Sequence, residues 1–534
     1  LAPSAPPPPS PAAVPGLLAA AARYERALRE DDLAVLDELF ADGPATLRAE
    51  GGAALAGHAE ISAFRATRGG APPRAVRRVH VRALGPRDAV TVTETERRDG
   101  GSGLQTQVWH RGEQGWRITT AHVSGAPAPA PTGPPADGGP ATWRVPPPAD
   151  GPLVAGSGAG PLAGVRTAVK DLVAVAGQRV GAGVPGWLAA APVETATAPA
   201  LRALLDAGAQ VNGLAQTDEL AFSLLGTNAH YGTPPNPAAP GRTTGGSTSG
   251  PAAAVAAGSA DLGLGTDTAG SLRVPGSFCG LLAWRPTHGA VDTAGVLPLA
   301  PSFDTVGLLA REAGVLHAAA RVLLGGTTGG AAAPRALLRS ATLTGLAEAP
   351  TALAVDAALA ALSVQTGLPL LDLDDDFTPA EVTAWTAAFR TVQAAEAWAA
   401  HGSFVEGNPG ALSAPVEGRF RAGAGVSAAA VDDARAVLRG VRQRLDAVLA
   451  QGWLGLPSTA APAPAADASP AEQDRVRAAT LALTSLASAA GVPALGLPWG
   501  RVGALPVGLC VLAPRGEDTA LLGLLGQVVP GPAA

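Results

Sequence analysis

The 534-residue chain has no Met, two Cys and two Tyr, and aromatic residues make up only 4% of it. Cys279 and Cys510, each set in an apolar run, are too few and too far apart for the disulfide framework of a secreted domain, so a reducing, cytoplasmic setting is expected. No apolar run reaches the ~20 residues that a membrane helix needs. The apolar residues 17–22 lack a basic flank before them and run into Arg23, Glu25 and Arg26, which reads as a helix rather than a secretory leader. Charge is sparse as well, 15% of residues with a net of -6, and that mild acidity demotes nucleic acid and anionic membrane as partners. With Met absent and Leu1 first, the true start is expected to be missing, processed or non-standard, and nothing functional follows from it.

The sharpest deficit is lysine. Of 38 basic side chains, every one except Lys170 is Arg. Ile, Asn and Tyr are scarce too, so a bias against certain residue types accounts for the loss. A lone Lys surviving such a bias is expected where Arg cannot serve, because guanidinium stays charged whereas a buried amine can give up its proton. Chance survival is the alternative.

What is present is a 47% hydrophobic chain long enough for two to four domains. Residues 1–15 form a Pro/Ala/Ser tail and residues 126–150 a Pro/Ala/Gly linker, neither with enough apolar surface to fold. Between them, residues 16–125 open with Leu17, Leu18, Ala21, Tyr24, Ala27 and Leu28 at helical spacing; Asp31 or Asp32 then caps a second helix with Leu33, Leu36, Leu39 and Phe40. After Ile61 and Phe64 the period becomes two. Val79 and Val81, Val90 and Val92, Thr106 and Val108, and Trp116 and Ile118 predict four strands, hence an α+β module whose curved sheet wraps a helix.

This order, with Arg23-Tyr24 on the first helix, the turn Glu60-Ile61-Ser62-Ala63-Phe64-Arg65 and a last strand ending Thr119-Thr120-Ala121-His122-Val123-Ser124, resembles the cone-shaped nuclear-transport-factor-2-like domains. It resembles most the branch found beside amidases of s-triazine degradation. Members of that superfamily are enzymes, binders or dimerisation modules, so the resemblance leaves function open. Tyr24, Arg65 and His122 are candidates to line the cone's cavity, against a core Tyr and surface polar groups. Dimerisation through the sheet face, giving a homodimer, or a second small-molecule cavity are the contributions expected of a module that folds by itself.

Residues 151–534 alternate short apolar strands with helices and predict an α/β fold with a mixed sheet, largely helical between residues 311 and 451. The densest signal lies at residues 243–287. There, Gly245-Gly246-Ser247-Thr248-Ser249-Gly250-Pro251 precedes an Ala-rich helix that Ser249 can cap and Gly258 can end. A strand then enters Gly265-Thr266-Asp267-Thr268-Ala269-Gly270-Ser271-Leu272-Arg273-Val274-Pro275, with Ser271 at the start of a new helix. Backbone N–H groups converging beside a serine are the makings of an oxyanion hole. A phosphate loop fits less well, since neither G-x-x-x-x-G-K-[ST] nor G-x-G-x-x-G is satisfied. A plain linker would not carry Trp284-Arg285-Pro286-Thr287 behind it. Of eight His, His230 and His288 lie nearest, yet no G-x-S-x-G elbow surrounds a Ser, so Lys170 is the better base.

Together with Gly164-Val165-Arg166-Thr167-Ala168-Val169-Lys170-Asp171-Leu172 and Phe278-Cys279-Gly280, these motifs resemble the amidase signature family, in which a Ser, cis-Ser, Lys triad hydrolyses amides. The resemblance implies Ser271 as nucleophile, Ser247 as bridging serine after a cis peptide, and Lys170 as general base. It also implies Thr268, Ala269 and Gly270 as backbone donors to the oxyanion. Lys170 ends an apolar strand, where burial should lower its pKa. Two positions depart from the family pattern: Ala269 stands where Gly is usual, a strain of ~1 kcal/mol if φ there is positive, and Thr248 where Ser is usual. A catalytically silent binding or accessory-dependent amidotransferase-like subunit is the rival reading.

Gln216-Thr217-Asp218-Glu219-Leu220-Ala221-Phe222 and Gly226-Thr227-Asn228-Ala229-His230-Tyr231-Gly232 look most like amidases of the carboxybiuret hydrolase type. The implied substrate is a small amide or urea-like compound cleaved with release of ammonia, in some relatives with a small accessory subunit. No His/Cys/Asp cluster has metal-ligand spacing, so neither a metal nor an organic cofactor is expected.

Overall fold

The computed structural model describes residues 16–50, 53–68, 74–97, 102–126, 139–326 and 334–527. The tail at 1–15 and residues 127–138 of the expected linker lie outside them; the linker's next residues fold instead, as the short helix Gly139–Thr142 and the strand Trp143–Val145, which pairs antiparallel with Gln210–Ala215 and buries Trp143. The chain divides into a small unit of residues 1–133, 356–370 and 527–532, and a large one made of the rest.

In the small unit, Leu17–Glu30 and Leu33–Glu38 form the two expected helices, with Asp32 Oδ1 accepting the Val35 N–H at 3.0 Å as the cap of the second. The supposed turn at residues 60–65 is part of a helix, His58–Arg68, because Ile61 and Arg65, four apart, bury one face. The four predicted strands appear as Arg74–Ala83, Asp88–Arg97, Ser102–Gly112 and Gly115–Ala126, paired as an antiparallel meander. Two short strands were not foreseen, Leu47–Glu50 and Ala53–Ala56; the first pairs in parallel with Gly115–Ala126 and extends the sheet to six. Four residues each give too little alternation to read as strands. Tyr24, Phe40, Ile61, Trp109 and Ile118 fill the core, joined by Ala361 and Val364 from far along the chain.

The large unit is built on an 11-stranded mixed sheet. Its centre sets Leu262–Thr266 parallel to Arg166–Lys170, which is parallel in turn to Gln210–Ala215, while Val306–Ala310 pairs antiparallel on the other side. These strands are buried on both faces, which is why they read as apolar runs rather than alternating ones. Parallel neighbours deliver their carboxyl ends to one edge, so Lys170 and Thr266, each the last residue of its strand, meet there. Pro379–Gly407, Ala414–Ala424, Ala428–Leu449 and Pro470–Ala490 form the helical part; Thr378 and Glu381 make a capping box on the first of them. The helix Ala349–Thr366 is long and apolar enough, at a mean hydropathy of 1.2 over 18 residues, to cross a membrane, but 61% of it is buried inside the protein.

Candidate active site

Lys170 ends its strand with none of its side chain exposed, and its Nζ reaches three hydroxyls: Ser247 Oγ at 2.9 Å, Thr248 Oγ1 at 3.1 Å and Thr266 Oγ1 at 2.8 Å. Ser247 Oγ in turn donates to Ser271 Oγ at 3.1 Å, and the peptide bond before Ser247 is cis. One continuous chain of hydrogen bonds thus runs from Lys170 through Ser247 to Ser271. Thr248 is held close because its neighbour on the strand is glycine: a Cβ at Gly265 would sit 2.3 Å from Thr248 Cγ2. Burial pushes the Lys170 amine down to about 7, against the opposing pull of the Asp218, Asp267 and Asp304 carboxylates. A neutral amine is therefore available near neutral pH.

The loop carrying Ser271 folds around Asp267. Its carboxylate accepts the N–H of Gly270 at 2.9 Å and of Leu272 at 3.2 Å, and pairs with Arg273 and Arg285 at 2.8 and 3.0 Å. With two guanidiniums and several N–H donors around it, Asp267 is held far below the usual carboxylate range despite complete burial. Gly270 has φ +120, and a Cβ there would lie 2.9 Å from Thr484 Cβ, so the turn requires glycine. Ala269 is not among the residues with positive φ. The strain expected of Ala269 does not arise.

Two further expectations change. Ser249 lies inside its helix, Ser249–Ala256, and its Oγ donates to Asp218 Oδ1 at 3.0 Å instead of capping. Gly270, expected among the oxyanion donors, has its N–H already engaged by Asp267; among the described residues none accepts from the N–H groups of Thr268, Ala269 or Ser271. His230 and His288 bond the carbonyls of Ala411 and Pro301, not a serine. Among the described residues no three His, Cys, Asp or Glu side chains cluster as metal ligands would. In the small unit, Tyr24 and Arg65 are buried, Arg65 lying 4.0 Å over the Phe40 ring, whereas His122 is exposed.

A small cavity of about 30 Å³ opens at Ser271, lined also by Thr268, Ala269, Gln393, Arg419 and Arg477. The last three come from helices more than a hundred positions downstream, and sequence reasoning could not select the two arginines among 37. Asp267 and Arg273 lay within the quoted motif but were given no role. The signal that could have found them is an acid and a base six apart in an otherwise uncharged Gly/Ser loop.

A buried lysine joined through one serine to another, at the carboxyl edge of a mixed sheet, defines a class of hydrolases acting on carbon–nitrogen bonds. The Amidase family model matches residues 150–342, and the AtzH-like model matches residues 9–128. The chain is 33% identical to Amidase 1 of Arabidopsis thaliana over 404 residues, which is 71% of this chain and 95% of that one. The chain belongs to the amidase signature family, as an enzyme acting on carbon–nitrogen bonds with an N-terminal AtzH-like domain. Among solved structures, one described as an unexpected vestigial protein complex that reveals the evolutionary origins of an s-triazine catabolic enzyme is similar at 27% identity and a TM-score of 0.62. That likeness covers 70% of this chain and 86% of that one. Another, described as an amidase, matches at 29% identity and a TM-score of 0.62 over 69% of this chain and 84% of its own.

Proposed function

We propose that the protein hydrolyses a small amide or urea-like substrate, of the carboxybiuret type, through an acyl-enzyme on Ser271. The observation that carries this reading is the Lys170–Ser247–Ser271 chain, with links of 2.9 and 3.1 Å. Neutral Lys170 accepts the Ser247 proton as Ser247 accepts that of Ser271, and Ser271 Oγ bonds to the substrate carbonyl carbon. The carbonyl electron pair moves onto oxygen, which accepts from the unengaged N–H groups of Thr268, Ala269 and Ser271. Collapse breaks the carbon–nitrogen bond, and the proton held on Lys170 returns through Ser247 to the leaving nitrogen as ammonia. Water then attacks the ester, passes its proton along the same route, and releases the acid and Ser271.

The substrate class rests on the motifs at residues 216–222 and 226–232, on the AtzH-like domain, and on the likeness to the vestigial protein complex that reveals the origins of an s-triazine catabolic enzyme. Ammonia release from a panel of amides, ureas and biuret derivatives, with and without a small accessory subunit, tests it. Ser271→Ala should abolish both turnover and labelling by a fluorophosphonate. Labelling that survives the substitution would remove Ser271 from its role.

A further inference from the structure

Residues 139–145 lie outside the stretches that the two family models match, yet they reach the residue beside Lys170. Where Trp143–Val145 pairs with Gln210–Ala215, Trp143 faces Ala215 and Val145 faces Leu214, so Arg144 is an extra residue in the ladder. A bulge of this kind re-aims a side chain. Arg144 turns inward, with 11% of its side chain exposed. Its Nε lies 2.7 Å from Oδ2 of Asp171, the residue that follows Lys170, and its Nη2 donates to the Arg179 carbonyl at 2.6 Å.

From Asp171 the contacts run on to the bridging serine. Asp171 Oδ1 accepts the Gly181 N–H at 3.0 Å, and the Asp171 carbonyl accepts that of Ala182 at 3.0 Å. A Cβ at Gly181 would lie 2.3 Å from Asp171 Oδ2 and 2.7 Å from Arg144 Cδ, so glycine is what lets the ion pair close over this turn. The Gly183 carbonyl accepts from Asn228 Nδ2 at 2.8 Å, and the same nitrogen reaches the Thr217 carbonyl at 3.0 Å. Thr217 Oγ1 then donates to the Ser247 carbonyl at 2.9 Å. A branch leads to the cavity: the Ala182 carbonyl accepts the Leu220 N–H at 2.9 Å, and Ala221 lines the wall beside Ser271.

Backbone strain is concentrated along this route. Among the described residues, four that are not glycine have positive φ, and three of them are Ala182, Leu220 and Ala221. Each such residue costs about 1–2 kcal/mol and persists only where its surroundings over-determine it. Asp171 supplies part of that constraint, at the expense of burying a carboxylate. Desolvation pushes its carboxyl up to about 6, against the pull of Arg144 and the Gly181 N–H. Without Arg144 the carboxylate would be left buried without its counter-charge, and the turn would lose its anchor.

We infer that Arg144 is a positioning residue, which through Asp171 holds Lys170, Ser247 and the cavity wall at the separations that proton transfer and attack by Ser271 need. This rests on the amidohydrolase reading for the roles of those residues. Displacements of about 1 Å from a change remote from the chemistry can cost about 10²-fold in rate, so the effect falls on the reacting step rather than on binding.

The test is saturation labelling of Ser271 by a fluorophosphonate in the full chain, which separates the limiting rate from the half-saturating concentration. Arg144→Gln should lower the limiting rate at least tenfold and leave half-saturation within twofold of the parent. Arg144→Lys, which keeps the charge, should recover part of the rate. Asp171→Asn should slow labelling as Arg144→Gln does, and the double variant should be no slower than the slower single one, because the two side chains act as a unit. Rates are read well below the melting temperature of each variant; if Arg144→Gln does not fold, the Lys and Asn variants carry the comparison. Parent-like limiting rates in the folded variants, a loss confined to half-saturation, or additive losses in the double variant overturn the inference. A parent that is not labelled, or labelling that survives Ser271→Ala, defeats the nucleophile assignment and this inference with it, whereas a labelled parent with parent-like variants defeats the positioning role alone.

Discussion

Asp267 and Arg273 face each other at 2.8 Å with essentially none of either side chain exposed, and Ser271 lies on the short loop between them. Arg285 completes the cluster at 3.0 Å, and Arg273 reaches on to the Thr484 carbonyl at 2.8 Å. The position of the proposed nucleophile is therefore set by a buried ion cluster that ties the loop to the helix behind it. Breaking a buried pair costs more than forming it gains, because an uncompensated charge is left behind.

Asp267→Asn should accordingly lower stability by ~3–5 kcal/mol and slow labelling of Ser271 even in the folded fraction. Thermal melting and labelling rates check it. The pH sign follows from the depressed folded pKa: the contribution of Asp267 is complete at neutral pH. It begins to fall only below pH ~4, where an unfolded Asp takes up its proton, and is lost as acid approaches the folded value. A variant as stable as the parent would show that the cluster does not brace the loop.

Lys170 carries the second prediction. Its pKa near 7 places the change from cation to neutral amine within the working range, so kcat/KM should rise with pH along an acidic limb with an apparent pKa near 7, far below that of a free Lys. Lys170→Arg should be nearly as damaging as Lys170→Ala, a loss of 10²-fold or more, because guanidinium cannot accept the proton. Pre-steady-state acylation against pH is the measurement. An Arg variant with near-normal rates would mean that only positive charge matters there.

The candidate triad was legible from motifs. Lys170 stood out as the sole lysine, and Ser247 and Ser271 lay in Gly/Ser runs whose resemblance to the amidase signature gave them their expected roles. The mixed sheet followed from buried apolar runs between helical stretches. Partners defined by tertiary closure were not legible. Thr266 bonds Lys170 only because parallel strands bring their carboxyl ends together, Thr248 because it stands at the N-cap of the helix Ser249–Ala256 against that edge, and Arg419 and Arg477 line the cavity at Ser271 only because distant helices fold over it. Side-chain direction misled as well: Ser249 has the composition of a cap, yet the Asp218 carboxylate, invisible at sequence range, claims its hydroxyl.

The last prediction concerns the small unit. Residues 16–125 carry their own helices and meander, which suggests a module that closes its own core and can be deleted freely. Ala361 and Val364, however, are 0% and 1% exposed within that core. Gln365 donates its side-chain amide to the Val76 carbonyl, and its own carbonyl accepts from Arg29 at 3.3 Å. The end of the helix Ala349–Thr366, which lies beyond every proposed catalytic residue in the chain, thus completes the fold of the small unit. A chain beginning at residue 151 should expose this apolar face and aggregate or melt at lower temperature than the full chain, measured by size-exclusion chromatography and thermal denaturation. In the full chain, Val364→Asp should cost ~2–4 kcal/mol, the penalty of placing a carboxylate in an apolar core. Polar replacements at Ala361 and Val364 within the shortened chain should restore solubility, since there they face water. If the shortened chain is instead as soluble and as heat-stable as the parent without them, the helix does not depend on the small unit for burial.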